Sequence, residues 1–175
     1  MNREIVGFEI DEAGDTVTLL DCGHRRHVRH RPPFELRPWA IDASERQKRL
    51  GTEIACGRCE QAELPEGLSF VRRLGPFDAA GLPAGLRRPH RTAPRVWAVV
   101  EVVEGEVRLR LGETGEITLA KGERHAIPPG MEHVVSLGRG AIVALELLRV
   151  PTSSGGSAES PGGAVGGETP GESAT

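Results

Sequence analysis

The sequence predicts a mainly β protein made of two modules and a disordered C-terminal tail. Residues 1–62 hold all three cysteines and three of the six histidines beside a predicted hairpin and one helix, which indicates a small β-rich zinc-binding module. Residues 63–150 contain short apolar runs separated by Gly and Pro turns, which is typical of a single β-barrel or sandwich. Residues 151–175 include fifteen Gly, Ser and Pro residues and carry too little apolar surface to fold.

Each element of the first module follows from a local signal. The runs IVGFEI and TVTLL flank the turn-rich segment DEAGD and predict a β-hairpin. The segment HRRHVRH predicts a further strand. The prolines of RPPFELRPW exclude that segment from a central strand, because proline lacks the N–H that the ladder needs. Asp42 or Ser44 caps the predicted helix, which ends at Gly51.

The second module repeats the strand signal. In EVRLRLG, Val107, Leu109 and Leu111 alternate with charged residues, which is the period of a half-buried strand. The final run, AIVALELLRV, is predicted as a strand rather than a helix because it begins with β-branched residues and lacks a cap. The other predicted strands are LSFVRRL, RVWAVVEVVEG, EITLA, ERHAIPP and EHVVSLG.

Composition and charge narrow the classes of function. The formal net charge is −3 and both modules are nearly neutral, so no positive field favours nucleic acid. The N-terminus lacks the apolar core of a signal peptide, and no run approaches the roughly 18 apolar residues of a membrane span. An odd number of cysteines fits a reduced compartment better than a disulfide framework. We therefore expect a soluble cytoplasmic protein with no membrane partner.

Two short pairs, Cys22-Gly-His24 and Cys56-Gly-Arg-Cys59, predict a metal site in the first module. Zinc takes four thiolate or imidazole ligands in a tetrahedron, and its lack of redox chemistry suits a set of three cysteines and one histidine. A glycine within each pair lets the chain turn around the metal. Four protein ligands close such a site to water, so the zinc is expected to be structural.

Alternatives to this ligand set stay open. His27 or His30 could replace His24 as the fourth ligand. The CxxC pair could be a redox dithiol, although that interpretation favours a βαβ context, or the cysteines could simply occupy a small core. The arginine-rich segment 24–37 is either an anion or nucleic-acid contact surface or, as the neutral module charge favours, a solvated strand face balanced by carboxylates.

The motifs of the first module resemble an uncharacterised bacterial domain family. DCGH, HVRH, PPF and RPW, followed by the CxxC pair, match that family's pattern over residues 4–60. The resemblance supports treating Cys22, His24, Cys56 and Cys59 as one unit. It implies no activity, because the family has none established.

In the second module, GERHAIPPGMEH resembles the second motif of the cupin barrels, with its G-x5-P-x-G-x2-H spacing. The resemblance implies a cupin-type jelly-roll barrel in which His133 points into the mouth. The first cupin motif is present only in part. His90 is retained, Thr92 stands in place of a second His, and Val96-Trp97 stands in place of a Glu.

The incomplete motif leaves two histidines for the barrel pocket. They could hold a second metal, with Glu101 or His125 helping, because imidazole suits zinc, nickel and copper. Alternatively they hydrogen-bond within the barrel or bind a ligand without metal.

The wider sequence of the module resembles the tellurite-resistance cupin family, the TehB/YeaR-like domain, over residues 64–149. The matching elements are the LPEGL lead-in, the LPAGLRRPHRT segment, the VW strand and the PGMEH turn. The resemblance implies a compact barrel with a pocket lined by Arg88, His90, Trp97 and His133. In some members a methyltransferase follows this domain, and we expect none here.

Arginines cluster near the expected mouth of the barrel, at positions 87, 88, 91 and 95. Guanidinium forks bind oxyanions in a bidentate way, so the cluster either recognises a small anion or decorates a surface loop. The expected partner is a small molecule or inorganic anion. A homodimer formed through strand edges is a further expectation.

Three functions compete at this point. The first is a stress-response module that binds a small anion or metal, with a structural zinc. The second is a small metalloenzyme that uses His90 and His133. The third is a nucleic-acid-binding regulator that uses segment 24–37. Whether the protein is an enzyme stays open; the incomplete metal motif and the missing methyltransferase favour a non-catalytic role, and no catalytic residue is identified.

Overall fold

A computed structural model describes residues 1–112 and 115–152, and it is mainly β, as predicted. The disordered tail predicted for residues 151–175 lies almost entirely outside the described residues. No helix in the described part of the chain has the length and hydropathy to cross a membrane. The strands are β1 Asn2–Ile10, β2 Thr16–Leu20, β3 Arg25–Val28, β4 Glu53–Ala55, β5 Ser69–Phe77, β6 His90–Arg91, β7 Val96–Glu104, β8 Glu106–Leu111, β9 Gly115–Ala120, β10 Arg124–Ile127, β11 Glu132–Leu137 and β12 Ile142–Arg149. The α-helices are α1 Ala43–Gln47 and α2 Gly57–Glu60.

The first module is a four-stranded antiparallel sheet in the order β3-β2-β1-β4. The predicted β1–β2 hairpin is confirmed, and the Asp11 carboxylate closes its turn by accepting from the amides of Ala13 and Asp15. The Asp42 side chain caps α1 by accepting from the Glu45 amide. The segment RPPFELRPW stays outside the sheet, as its prolines predict. Strand β4 and the one-turn helix α2 were not predicted.

The second module is a sandwich of two antiparallel sheets, ordered β10-β7-β12-β5 and β6-β11-β8-β9. Aliphatic side chains fill the space between them, including Ala98, Val100 and Val102 of β7 and Val107 and Leu109 of β8. All predicted strands of this module are present, and AIVALELLRV forms β12 rather than a helix. This is the jelly-roll architecture that the cupin motif implies.

A second hydrophobic cluster joins the two modules. Trp97 and Val99, which alternate with the barrel-core residues of β7, face the first module instead and are fully buried there. They pack with Ile5 and Leu20 of the first sheet and with the cysteines. Strand β7 is therefore covered on both faces, once by the barrel and once by the first module.

Two hydrogen bonds cross the same interface. The Trp97 indole N–H donates to the Cys22 carbonyl over 2.8 Å, and the buried Arg3 guanidinium donates to the Pro129 carbonyl over 2.8 Å. Buried polar groups are costly when left unpaired, so these bonds fix the relative placement of the two modules.

The shared cluster predicts that both modules unfold in one transition. Trp39 lies in the first module and Trp97 in the interface, so Trp97→Phe and Trp39→Phe each leave one fluorescent reporter. We expect Trp97→Phe to lower the free energy of unfolding in urea by about 1–3 kcal/mol, because the Cys22 carbonyl loses its donor. The two variants should each give one transition that coincides with far-UV circular dichroism. Two separated transitions in either protein would show that the modules unfold independently.

Candidate metal centre and barrel cavity

The two cysteine/histidine pairs meet in one buried cluster. The ligand atoms of Cys22, His24, Cys56 and Cys59 all lie within 4.8 Å of one another, and all four residues are buried. His24 Nδ1 lies 3.5, 3.4 and 3.5 Å from the sulfurs of Cys22, Cys56 and Cys59. The cluster can therefore hold a metal ion, and His24 is its histidine.

The spacing fits a tetrahedral ion. With Zn–S bonds of about 2.3 Å and Zn–N bonds of about 2.0 Å, a tetrahedron has S···N edges of about 3.5 Å. The three Nδ1–Sγ distances match that edge. Hydrogen bonding alone does not explain them, because one Nδ1 can share a proton with only one sulfur at a time.

Local turns bring the pairs together. Cys22 and His24 flank a turn in which the Gly23 amide donates to the Leu20 carbonyl. Gly23 has φ +88°, and a Cβ there would lie 3.1 Å from Pro65 and Val150, so this position requires glycine. Gly57 begins α2 with open space around it, so glycine is not needed for a tight turn in the second pair.

The thiols influence one another strongly. The hydrogen bond that Cys22 donates to Cys59, together with His24 and Arg3, lowers the pKa of the Cys59 thiol to about 4 against the opposing effect of burial. The same bond and burial raise the pKa of Cys22, while burial is the main cause of the raised pKa of Cys56. A metal that needs three thiolates must therefore displace protons from Cys22 and Cys56.

Trp97 belongs to this cluster and not to the barrel pocket, which corrects the prediction made from the family resemblance. Its ring meets the His24 ring edge-on, with centroids 5.6 Å apart and an interplanar angle of 86°. His24 Nε2 is buried and has no hydrogen-bond partner among the described residues. On its Nε2 side, the His24 imidazole is therefore held by packing against Trp97 and not by a hydrogen bond.

The reserve histidines lie elsewhere. His27 Nε2 pairs with the Asp11 carboxylate at 3.0 Å and its side chain is 51% exposed. His30 Nδ1 accepts from the Arg37 amide. Neither belongs to the cluster.

Carboxylates balance the arginine-rich segment 24–37. Arg25 pairs with Glu9, and Arg29 and Arg31 both pair with Asp15. This pairing supports a solvated strand face over a nucleic-acid contact surface.

A second candidate site is a cavity of about 520 Å³ in the barrel. Its walls are mainly aliphatic, and its polar groups are two histidines, three arginines and one threonine. The lining residues are Val71, Arg72, Leu74, Leu86, His90, Arg91, Thr92, Ala93, Val96, Ala98, His133, Leu145, Leu147 and Arg149.

The two histidines lie side by side in the cavity. His90 of β6 and His133 of β11 are cross-strand partners with ring centroids 4.0 Å apart. Each Nδ1 lies 2.9 Å from a backbone carbonyl, that of Arg88 or Met131, and therefore carries the proton. Each neutral imidazole then keeps its lone pair on Nε2. Burial lowers the pKa of His133, so its neutral form is favoured.

The arginines expected at the mouth have mostly structural roles. Arg91 lines the cavity, where it donates to the Gly130 carbonyl and pairs with Glu132. Arg87 donates to the Leu82 carbonyl and Arg95 to the Pro151 carbonyl. The Arg88 side chain is not part of the cavity wall, and its carbonyl positions His90 instead.

The residues considered as extra metal ligands for the barrel also lie outside the cavity. Glu101 pairs with Arg73 at 2.8 Å, and His125 is absent from the cavity lining. Thr92, at the position of the missing histidine, bonds the Pro128 carbonyl and the Gly130 amide and so fixes the turn before His133.

Each of the two modules matches a different protein family. Residues 6–63 match the family described as a protein of unknown function, DUF3565, and residues 72–141 match the TehB-like domain. Each module is thus similar to one family, and the names DUF3565 domain and TehB-like domain denote the two matched segments. No curated protein matches the sequence significantly.

Solved structures resemble the barrel at low identity. A protein from E. coli K12 is 17% identical over 51% of this chain and 98% of its own, with a TM-score of 0.49. TehB from Haemophilus influenzae is 16% identical over 48% of this chain, with a TM-score of 0.45, and the match spans 32% of its length. A cupin protein from Bacteroides fragilis is 18% identical over 45% of this chain and 64% of its own, with a TM-score of 0.31.

The sequence did not indicate two arginines that line the cavity of the TehB-like domain. Arg72 of β5 and Arg149 of β12 reach it from neighbouring strands. The run SFVRRL shows no clear alternation, and the register of β5 against β12 shifts between Leu147 and Leu148, so the sequence does not reveal which arginine faces inward. Arg73, next in the chain, faces Glu101 and Glu146 instead.

The DUF3565 cluster predicts the metal content of cysteine and histidine variants. We expect about one metal ion per chain in the purified reduced protein, and its loss in Cys56→Ser and His24→Ala, because each change removes one of four ligands. His27→Ala and His30→Ala are the matched controls and should keep the metal. Elemental analysis by mass spectrometry measures the stoichiometry. Metal loss in His27→Ala with retention in His24→Ala would contradict the assigned set.

Proposed function

We propose that this chain is a ligand-binding TehB-like barrel whose DUF3565 domain carries a structural zinc ion. The observation that carries the barrel's role is one cavity that joins aliphatic walls to three guanidinium groups and a histidine pair. Binding pockets for small molecules typically combine an apolar lining with a few placed polar groups.

Zinc is the metal that suits the DUF3565 cluster. Three thiolates and one imidazole in a tetrahedron are typical of zinc, whereas oxygen ligands are typical of calcium and magnesium. The four ligands leave no coordination position for water, so the ion would stabilise the fold and supply no hydrolytic chemistry. Cys22, His24, Cys56 and Cys59 would hold it.

The cavity favours a small anion with an apolar body. Arg72 and Arg149 take part in no ion pair among the described residues, so their charges are available to a ligand. Leu74, Leu145 and Leu147 would cover the apolar part. A guanidinium group forms charge-assisted, bidentate bonds with carboxylates and related oxyanions.

A stress-response role with tellurite as the ligand is suggested by the family resemblance. Tellurite is an oxyanion, so the same arginines would recognise it. It has no apolar body, however, and the aliphatic walls would add little to its binding. A panel of anions separates these two kinds of ligand.

Butyrate and butyramide form a matched pair for the anion proposal. They share shape and apolar body, and only butyrate carries a charge. We expect calorimetric titration to show tighter binding of butyrate, and Arg149→Met or Arg72→Met to weaken it by about tenfold, because a charge-assisted hydrogen bond is lost. Arg73→Met, whose partner is outside the cavity, is the control. Equal binding of both compounds would contradict the proposal, and tellurite binding without butyrate binding would favour the inorganic ligand.

A second candidate function is a metalloenzyme centred on the histidine pair. The two imidazole rings, whose centroids lie 4.0 Å apart, favour it, because a metal-binding imidazole commonly donates its other N–H to a carbonyl, as both do here. Two nitrogens alone leave several coordination positions for water or substrate.

Metal stoichiometry distinguishes the two functions. If the barrel binds an anion without metal, His133→Ala should retain about one zinc per chain, because the DUF3565 ligands are intact. Elemental analysis after dialysis against zinc, nickel or copper, followed by buffer, measures this. A second equivalent that disappears with His133→Ala, but not with Cys56→Ser, would support the metalloenzyme instead.

A further inference from the structure

Arg3 places a positive charge inside the interface between the two domains. The residue is 6% exposed. One amino group of its guanidinium donates to the Pro129 carbonyl over 2.8 Å, and the other contacts the Met1 sulfur. Among the described residues its only ion-pair partner is Asp21, at 4.0 Å. Such a weak pairing is unusual for a buried arginine, because an uncompensated buried charge is strongly destabilising.

The backbone around Arg3 holds both halves of the metal cluster. The Met1 carbonyl accepts from the Cys56 amide over 2.8 Å, and the Glu4 carbonyl accepts from the Asp21 amide over 3.0 Å. Strand β1 therefore runs between the Cys22 and Cys56 pairs. The Arg3 guanidinium approaches Asp21, which precedes Cys22, and contacts the Met1 sulfur, which packs against the cysteines, so it lies beside the cluster.

The charge of a loaded cluster is complementary to Arg3. A divalent ion with three thiolates and a neutral imidazole has a net charge of −1. Arg3 supplies +1 in the same buried region, because its guanidinium stays protonated at any physiological pH. Together they are neutral, which reduces the penalty that either buried charge would carry alone, while the Asp21 carboxylate, 4.0 Å away and 27% exposed, remains partly in water.

The Pro129 carbonyl, which accepts from the Arg3 guanidinium, lies in a turn next to the barrel cavity. Pro129 belongs to the turn between β10 and β11, in which the Met131 amide donates to the Pro128 carbonyl. Thr92 of the cavity wall bonds both Pro128 and Gly130 in this turn. The Met131 carbonyl accepts from His133 Nδ1. Arg3 thus touches the turn that orients one of the two cavity histidines.

We propose that Arg3 is the counter-charge of the metal–thiolate cluster and, through the Pro129 carbonyl, the positioning residue that couples metal loading to the geometry around His133. This inference rests on the proposed function, since it requires a divalent ion in the DUF3565 domain. With the ion bound, Arg3 is held between the cluster and the turn. Without the ion, the four ligands are no longer held together, so the guanidinium and the donor that it offers to the turn lose their fixed position.

Zinc affinity tests the counter-charge. Competition against a chromophoric chelator gives the affinity of the reduced full chain and of three variants. Arg3→Met should weaken zinc binding about 10- to 100-fold, as is typical of groups that support metal ligands. Arg3→Lys, which keeps the charge, should bind zinc within about threefold of the parent affinity, a much smaller loss than that expected for Arg3→Met. Arg29→Met, which removes an arginine paired with Asp15, should bind like the parent.

Two outcomes would overturn the counter-charge. One is an Arg3→Met protein that binds zinc as tightly as Arg29→Met. The other is an Arg3→Lys protein that is folded by circular dichroism yet binds zinc more than about tenfold more weakly than the parent, a comparison that needs no folded Arg3→Met protein.

Amide NMR tests the coupling. In the parent chain, removing zinc should shift the peaks of Gly130, Met131 and His133, while Glu106 and Ala120, at the opposite end of β8 from the His133–Leu111 pair, stay in place. In Arg3→Met the shifts at the turn should fall by more than half. Zinc binding that leaves the turn peaks unmoved in the parent overturns the coupling alone. A parent chain that binds no zinc overturns the proposed structural zinc as well, and these two results are distinguishable.

Discussion

Strand β7 is covered on both faces, and the arrangement of the whole chain depends on this. Ala98, Val100 and Val102 fill the barrel, while Trp97 and Val99 fill the interface with the DUF3565 domain. An antiparallel sheet usually keeps one face in water. Here the second face packs against the cysteines of the metal cluster, so the barrel and the cluster are parts of one packed structure.

The DUF3565 domain needs this packing against β7 because its own core is small. Few of its aliphatic residues are buried, among them Ile5, Leu20 and Val28. Domains of this size commonly depend on a metal or a partner for stability, and the binding energy of a structural metal is then part of the folding energy. The cysteines, the Trp97 indole and the Arg3 guanidinium all lie in the interface, where the metal cluster and the packing against the barrel can both stabilise the domain.

The sequence predicted the cluster and the strands well because both rest on local signals. Paired ligands at short spacing and alternating apolar runs need no knowledge of the tertiary structure. The family resemblance placed Trp97 in the pocket, and the strand pattern did not contradict it, because the apolar run VWAVV does not show which residue faces which partner. Arg72 was missed for a similar reason, since a bulge decides its direction. Strand β6, with two residues, and α2, with four, are too short to have a period.

The residues on the outer face of β7 also indicate that a second domain packs against this barrel. In a TehB-like barrel without a second domain, the positions of Trp97, Val99, Ala126 and Leu148 would face water. Large apolar side chains at these positions would form an exposed hydrophobic patch that favours aggregation. We would therefore expect solitary barrels to carry polar residues at these four places. The identity of the residue at position 97 alone could then distinguish, among otherwise similar barrels, those shaped to receive a second domain.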